Sequence, residues 1–433
     1  MKYISTNKKS PPIPFEEAIF FGMASDGGLY VPESIPKFTA KEIASMPGKS
    51  LQEIATITLN KWFHGFFTHQ ETEEIVKKSL EFPIPLVEVG GYKVLELFHG
   101  PTYSFSDVSS RIMSQIVHKI AQKKKKNLRV ILATSGDTGS SIAHSLGKIG
   151  SEVRPIIIYP KNLLSSIQLA QITRISANVL AIEVDATYEE CLNLTHKILN
   201  DKDVQDLDLL SGNSTNILRL VPQIVIYVYL YSLLAPKIPT VVIPSGNFGN
   251  SCTALFSKLM GLPMDKIVIA TNSNNAAYVY SKTGTYTPKL TVKTLASSMD
   301  IGSPSNFPRI LHLCGYSHKK FLEFFDTYSI TDSKVINTIH AIWAEHQYMM
   351  DPHTAVAWAA ADQIGDVDKT PVIIATAAPE KFSEILYKHT HLKIENDHIL
   401  AELHKNHSRS VSIKNNFEKL KEILISEFKP KEL

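Results

Sequence analysis

From about residue 92 the chain alternates short β-branched runs with helical runs of ten or more residues. This alternation constrains the fold more than any other feature. Arg129–Ala133 precedes a helix from Ser140, and Arg154–Tyr159 precedes one near Leu164–Ala170. Val179–Val184 leads to a helix from Thr187, and Thr240–Pro244 to one from Ser251. Lys266–Ala270 follows, and Val372–Ala375 precedes a helix from Glu380. Strands apolar throughout, each followed by a helix, predict a largely parallel sheet covered on both faces, or two such sheets. Residues 1 to about 86 read as a mostly helical section, with amphipathic stretches at Pro14–Gly22, Ser50–Trp62 and Glu71–Leu80. Asp26–Pro32 is a turn running into a short extended piece. The tail from about His404 to Leu433 is charged and partly helical.

With 433 residues, 44% of them hydrophobic, the chain is long enough for two α/β domains. A net charge of +3 gives no bulk attraction to nucleic acid or an anionic membrane. The densest basic run, Lys123–Lys126, suits the end of a helix, where cations complement the backbone dipole. The most apolar stretch, Ile224–Ala235, is too short to span a bilayer and reads as a buried helix. The opening residues carry no apolar leader, and Cys191, Cys252 and Cys314 form no CxxC pair. A reduced, cytoplasmic protein is expected. His389, His391 and His398 lie in a polar segment without metal-site spacing, so no metal is expected. His353 reads as a packed structural histidine.

Three strand–loop–helix junctions share one design: Ala133–Gly139, Pro244–Asn250 and Ala375–Pro379. Each places small or hydroxyl residues where a helix begins. Free backbone N–H groups and the positive end of the helix dipole favour an anion there. Glycines allow close approach of a ligand to the backbone. A tight turn with an N-cap explains any one of them. Three together point to a phosphorylated small molecule in a crevice at the carboxyl edge of a sheet. No Walker A lysine and no GxGxxG follows a strand, which makes nucleoside triphosphates and dinucleotides weak candidates.

The segment His99-Gly-Pro-Thr-Tyr-Ser-Phe-Ser106-Asp107 resembles the cofactor-anchoring motif of threonine synthases, in which HGPT and two residues precede Phe-Lys-Asp. Further matches follow in family order: Tyr3–Thr6, Phe15–Ala18, Asp26–Pro32, Thr134–Gly139, Asn213–Leu220, Pro244–Asn250, Ser298–Asn306 and Asp351–Ala357. The resemblance implies a pyridoxal-phosphate (PLP) enzyme of fold type II, like the tryptophan synthase β-subunit. It implies an N-terminal section over 1–86, an α/β domain over 87–212 and a larger one over 213–433. The implied reaction converts O-phospho-L-homoserine and water to L-threonine and phosphate, with PLP as electron sink. By position, Gly246, Asn247, Phe248, Gly249 and Asn250 hold the cofactor phosphate, and Thr376 meets the pyridine nitrogen. Ser135, Asp137, Thr138, Asn216 and Arg219 are the implied binders of the substrate's carboxylate and phosphate; a structural ion pair is the alternative for Arg219.

The chain departs from the family pattern at its centre. The position of the imine-forming lysine holds Ser106, and a serine hydroxyl forms no imine with an aldehyde. Ser109-Ser110 replaces a Gly-Gly pair, and Thr376-Ala-Ala-Pro379 lacks the histidine of TAHP. Lys381 matches a lysine that the family already has there, so it is expected to keep an existing role. The expectation is a protein that retains the fold and phosphate site, binds any PLP non-covalently, and has lost or nearly lost the synthase reaction. The alternatives are a synthase or related lyase working without the usual lysine, and a non-catalytic binding or regulatory paralogue.

Overall fold

A computed structural model of the chain describes residues 1–364 and 371–429. Two sheets organise it. The larger has six strands in the order Phe325–Ser329, Ile267–Thr271, Thr240–Pro244, Pro371–Ala375, Tyr92–Glu96 and Leu86–Val89. All neighbours are parallel except the last pair, an antiparallel hairpin. The smaller sheet is wholly parallel, in the order Val411–Lys414, Leu180–Asp185, Val153–Pro160, Leu128–Ala133 and Leu209–Ser211. The strands of apolar runs are buried on both faces: Val241, Val242 and Ile243 are all fully buried, as are Ile156, Ile157 and Ile158. The alternation read from the sequence therefore corresponds to two parallel sheets. The apolar helix Ile224–Leu234 lies in the core shared by the helices around them.

The N-terminal section differs from expectation. Its helices Leu51–Phe63 and His69–Ser79 form, each opened by a reciprocal capping box, Ser50 with Glu53 and Thr68 with Glu71. It also carries a three-stranded antiparallel sheet of Ile13–Pro14, Lys2–Ser5 and Tyr30–Pro32. Strand Tyr30–Pro32 is the short extended piece expected after the turn at Asp26; Ile13–Pro14 and Lys2–Ser5 are too short to show a period of two, so the sequence pattern does not reveal them.

The sheets do not divide the chain at 86/87 and 212/213. The hairpin Leu86–Glu96 belongs to the larger sheet, where Val94 pairs with Ile373. The C-terminal strand Val411–Lys414 returns to the edge of the smaller sheet beside Leu180–Asp185. Helix Phe417–Phe428 follows it and buries Leu420 and Leu424 against Ile182, Val184 and Cys191. The tail is thus structural and closes the smaller domain; residues 430–433 lie outside those described. Leu424→Ala should remove about 2–5 kcal/mol from urea-unfolding stability, as a large-to-small change at a fully buried site.

Candidate active site

The carboxyl ends of both sheets open into one cleft. It is lined by Ala133–Ser135, Asp137 and Thr138 from one loop, Pro244–Asn250 from a second, and Thr376 from a third. Ser106, Arg219, Gln223, Ser298 and His353 complete much of the wall. The three junctions singled out as anion-ready therefore converge, as open α/β sheets bring loops together at the ends of their strands.

The second loop is built to approach a ligand with its backbone. A Cβ on Gly246 would stand 2.5 Å from Met299 Cα, so only glycine fits. Phe248 adopts left-handed φ of 56° and packs its ring on Phe307, 5.5 Å between centroids. Helix Gly249–Leu259 then starts with its first N–H groups free of helical partners. Asn247 is occupied: its Nδ2 donates to Ser214 Oγ at 3.0 Å and its Oδ1 accepts from Ser305 N at 2.6 Å. Asn250 accepts from the Tyr227 hydroxyl, while its Nδ2 is buried with no partner.

The first loop is folded around Thr134, whose Oγ1 accepts from Gly136 N at 3.0 Å and Gly139 N at 2.9 Å. Gly136 has φ of 139°, and a Cβ there would meet the Gln168 side chain at 2.3 Å. Ser135 and Thr138 line the cleft at the N-terminus of helix Asp137–Gly147. Asp137 lines it too, but its carboxylate is already engaged. Lys381 Nζ lies 2.6 Å from Oδ1, and Gln168 Nε2 donates to the same oxygen at 3.0 Å. Burial raises the Asp137 pKa, but the Lys381 charge and the hydrogen bonds from Lys381 and Gln168 together outweigh it and hold the group below its ordinary value.

Ser106 begins helix Ser106–Lys124 and is 2% exposed. Its N–H donates to Ser104 Oγ at 3.3 Å. The segment before it is tied to the third loop, with Phe105 N donating to Thr376 O at 2.8 Å and Ala378 N to Tyr103 O at 3.1 Å. Among the described residues, no lysine lines the cleft. Lys381 is fully buried nearby, held by Asp137 and by the Thr102 carbonyl at 2.9 Å. Thr102 in turn donates to Asp107 from its N–H at 2.8 Å and its hydroxyl at 2.7 Å. Burial pushes the Asp107 carboxyl up to about 6 in spite of those bonds and the Lys381 charge.

Two expected binders resolve differently. Arg219 reaches the cleft. Its Nη1 donates to Ser110 Oγ, its Nε is buried without a partner, and no described carboxylate lies within ion-pair distance. Burial pulls its guanidinium down to about 10, opposed by the Asp107 charge. Asn216 does not reach the cleft. Its Nδ2 donates to Ile19 O at 2.8 Å and Ser211 O at 2.9 Å, and its Oδ1 caps Leu218 N at 3.0 Å. All of its amide bonding goes to backbone, because it holds the turn that aims Arg219.

His353 joins the wall, beyond the packing role expected of it. Its Nδ1 bonds Asp351, and Ser298 N donates to its Nε2 at 3.1 Å, which fixes a neutral ring with the proton on Nδ1. Burial works against a charged ring, but the charge and hydrogen bond of Asp351, with the charges of Asp137 and Asp300, together outweigh it and hold the pKa above the ordinary histidine value, so protonation competes with the Ser298 contact. Gln223 and Ser298 were within reach of sequence reading, since both lie in or next to matched elements; Tyr188, also in the wall, carries no such signal. His389, His391 and His398 are exposed.

Residues 81–376 match the family model for pyridoxal-phosphate dependent enzymes, and residues 2–80 match that for the threonine synthase N terminus. The chain is 30% identical to a threonine synthase of Buchnera aphidicola subsp. Schizaphis graminum, over 98% of this chain and 100% of that one. The chain belongs to the threonine synthase family. A crystal structure of the Escherichia coli threonine synthase superposes with a TM-score of 0.92 at 28% identity, over 99% of this chain and 100% of that one. A PLP-bound threonine synthase from Brucella melitensis gives the same score, identity and coverage. The fold is thus that of fold type II PLP enzymes. The cleft also fits the family's cofactor. The Gly246 backbone can be approached closely, the N–H groups opening helix Gly249–Leu259 are free, and Asn250 Nδ2 awaits an acceptor.

Two outcomes follow from this geometry. Gly246→Ala should weaken PLP binding by about tenfold or more in a fluorescence titration, since overpacking against the Met299 backbone costs about 1–3 kcal/mol. Asp107 binds its proton more tightly folded, at about 6, than at its ordinary 3.8. Its contribution to stability is therefore greatest at low pH and declines as pH rises through that window, by about 3 kcal/mol. Asp107→Asn should accordingly cost less at pH 7 than at pH 4 in urea melts.

Proposed function

We propose that this chain is a threonine synthase relative that keeps the phosphate cradle for PLP, binds the cofactor without a covalent bond, and has lost or nearly lost the family reaction. The family reaction takes O-phospho-L-homoserine and water to L-threonine and phosphate. The observation that carries the reading is the cleft wall without a lysine, with Ser106 at the position that the family motif gives to one.

PLP, when bound, supplies an electron-withdrawing ring. Gly246–Asn250 would hold its phosphate, through backbone N–H groups and Asn250 Nδ2, and the Thr376 hydroxyl would meet the ring nitrogen. Ser135 and Thr138 offer hydroxyls to a ligand carboxylate, and Arg219 offers Nε to an anionic or acceptor group. What the described lining residues do not offer is an amine at position 106 to take a proton from carbon and return it, and the one imidazole in the wall, His353, has its Nε2 engaged by Ser298 N. Among the described residues no base is hydrogen-bonded to the Ser106 hydroxyl, and a serine alone does not ionise near neutral pH. Lys381 is committed to Asp137 and Thr102, which argues against its standing in for the missing amine.

A reducing, cytoplasmic setting is part of the same proposal. Cys191, Cys252 and Cys314 are free and buried, with burial pushing each thiol up to about 12. Phosphate release from O-phospho-L-homoserine should not exceed that of an Arg219→Met control; clear turnover above it rejects the loss of reaction. Ser106→Lys should gain the absorbance of a lysine-bound cofactor on addition of PLP, with a borohydride-stable adduct at residue 106 by mass spectrometry.

A further inference from the structure

Thirteen buried side-chain atoms among the described residues have no hydrogen-bond partner, and four of them belong to the wall of this one cleft. They are Asn250 Nδ2, Arg219 Nε, Gln223 Oε1 and Ser298 Oγ. A buried polar group left unpaired is unfavourable, so the cluster marks where a ligand supplies the missing partners. The four are not a phosphate site alone. Asn250 belongs to the glycine loop, but Arg219 and Gln223 stand beside Ser110 and Ser109, one turn into the helix that Ser106 begins. Ser298 lies beside His353. A ligand that satisfies them extends from the phosphate loop past Ser106.

Two further observations narrow its chemistry. Among the described residues no primary amine lines the cleft, so any imine to the cofactor's aldehyde takes its nitrogen from the ligand. The hydroxyls of Ser135 and Thr138, at the N-terminus of an eleven-residue helix, stand in the same wall and suit a carboxylate. We infer that the cleft takes its ligand preassembled, as pyridoxal phosphate already joined through nitrogen to an α-amino acid, in preference to free PLP. Such a conjugate forms in solution when the aldehyde carbon condenses with the amine nitrogen and one water leaves; no oxidant and no protein group is consumed. It has two anionic ends, one for Gly246–Asn250 and one for the Ser135–Thr138 turn, whereas free PLP has only the first. A lysine at 106 would compete with the amino acid for the same carbon. The serine leaves that carbon to the ligand's own nitrogen.

The inference rests on the phosphate-site reading above, and one titration separates the two. PLP-free full-length protein is titrated by calorimetry with PLP, with N-(5′-phosphopyridoxyl)-L-threonine, a stable reduced conjugate, and with N-(5′-phosphopyridoxyl)methylamine, which lacks the carboxylate. The amino-acid conjugate is expected to bind about tenfold or more tighter than either of the others, a difference a single charge-assisted anchor supplies. In Ser106→Lys the preference should shrink or reverse, because PLP then gains a covalent link. PLP or the methylamine conjugate binding as tightly as the amino-acid conjugate overturns the inference and leaves the phosphate-site reading standing. No binding by any of the three overturns both. A borohydride-stable adduct of PLP on a lysine of the unaltered chain overturns the inference as well.

Discussion

One buried ammonium holds the cleft in shape. Lys381, in the segment after the larger sheet's third loop, reaches Asp137 at the start of a helix of the smaller domain and the Thr102 carbonyl in the motif before Ser106. Three segments far apart in sequence thus share one charge. Thr102 passes the constraint on to Asp107, and Asp107 is packed so closely under Gly100 that a Cβ there would meet its carboxylate at 2.5 Å. Removing one member of such a buried pair strands the other, at a cost of about 3–5 kcal/mol. The nearest buried amine is therefore bound into the architecture, and the chemistry of Ser106 has to be judged without it.

The same economy governs Arg219. A fully paired guanidinium would be a structural strut, and the ion-pair alternative raised by the sequence predicts one. Instead the side chain is 3% exposed, bonded once to Ser110, and left with a free Nε. Burying a charge so incompletely paired is unfavourable in the empty protein. Burial already lowers its affinity for the proton, so an acceptor brought by a ligand gains more here than at the surface.

The sequence made the parallel sheets legible because each strand is apolar on both faces, and it made the loops legible because glycines mark where the backbone must come close. Gly136 and Gly246 both turn out to sit where no Cβ fits. Less visible was anything that depends on pairing at a distance. The strand Val411–Lys414 has one buried residue, Ile413, and looks like tail until its neighbour Leu180–Asp185 is known. Asn216 carries the polar side chain of a ligand binder, yet its position behind the turn spends that amide on Ile19 and Ser211. His353 errs in the other direction, since a residue that packs well against Phe382 can still present an edge to the cleft. Residue type and spacing report chemistry and local geometry; which side of a turn faces a ligand is decided by the tertiary contacts.

Binding and catalysis draw on different parts of this cleft. In the reading proposed above, phosphate would be held by backbone N–H groups beside glycines whose lack of a side chain is enforced by packing, as at Gly246 against Met299. Those features are the fold's own, and losing them would disturb the junction between strand Thr240–Pro244 and helix Gly249–Leu259. Proton transfer at carbon, by contrast, rests on one amine at one position. A serine there fits the helix start without strain, its N–H bonded to Ser104 and its carbonyl to Ser109. A serine at 106 in place of the amine that the family motif has there would thus remove the reactive atom while leaving the binding frame intact. That asymmetry lets a chain of this fold keep a cofactor-shaped site whether or not the family reaction is retained.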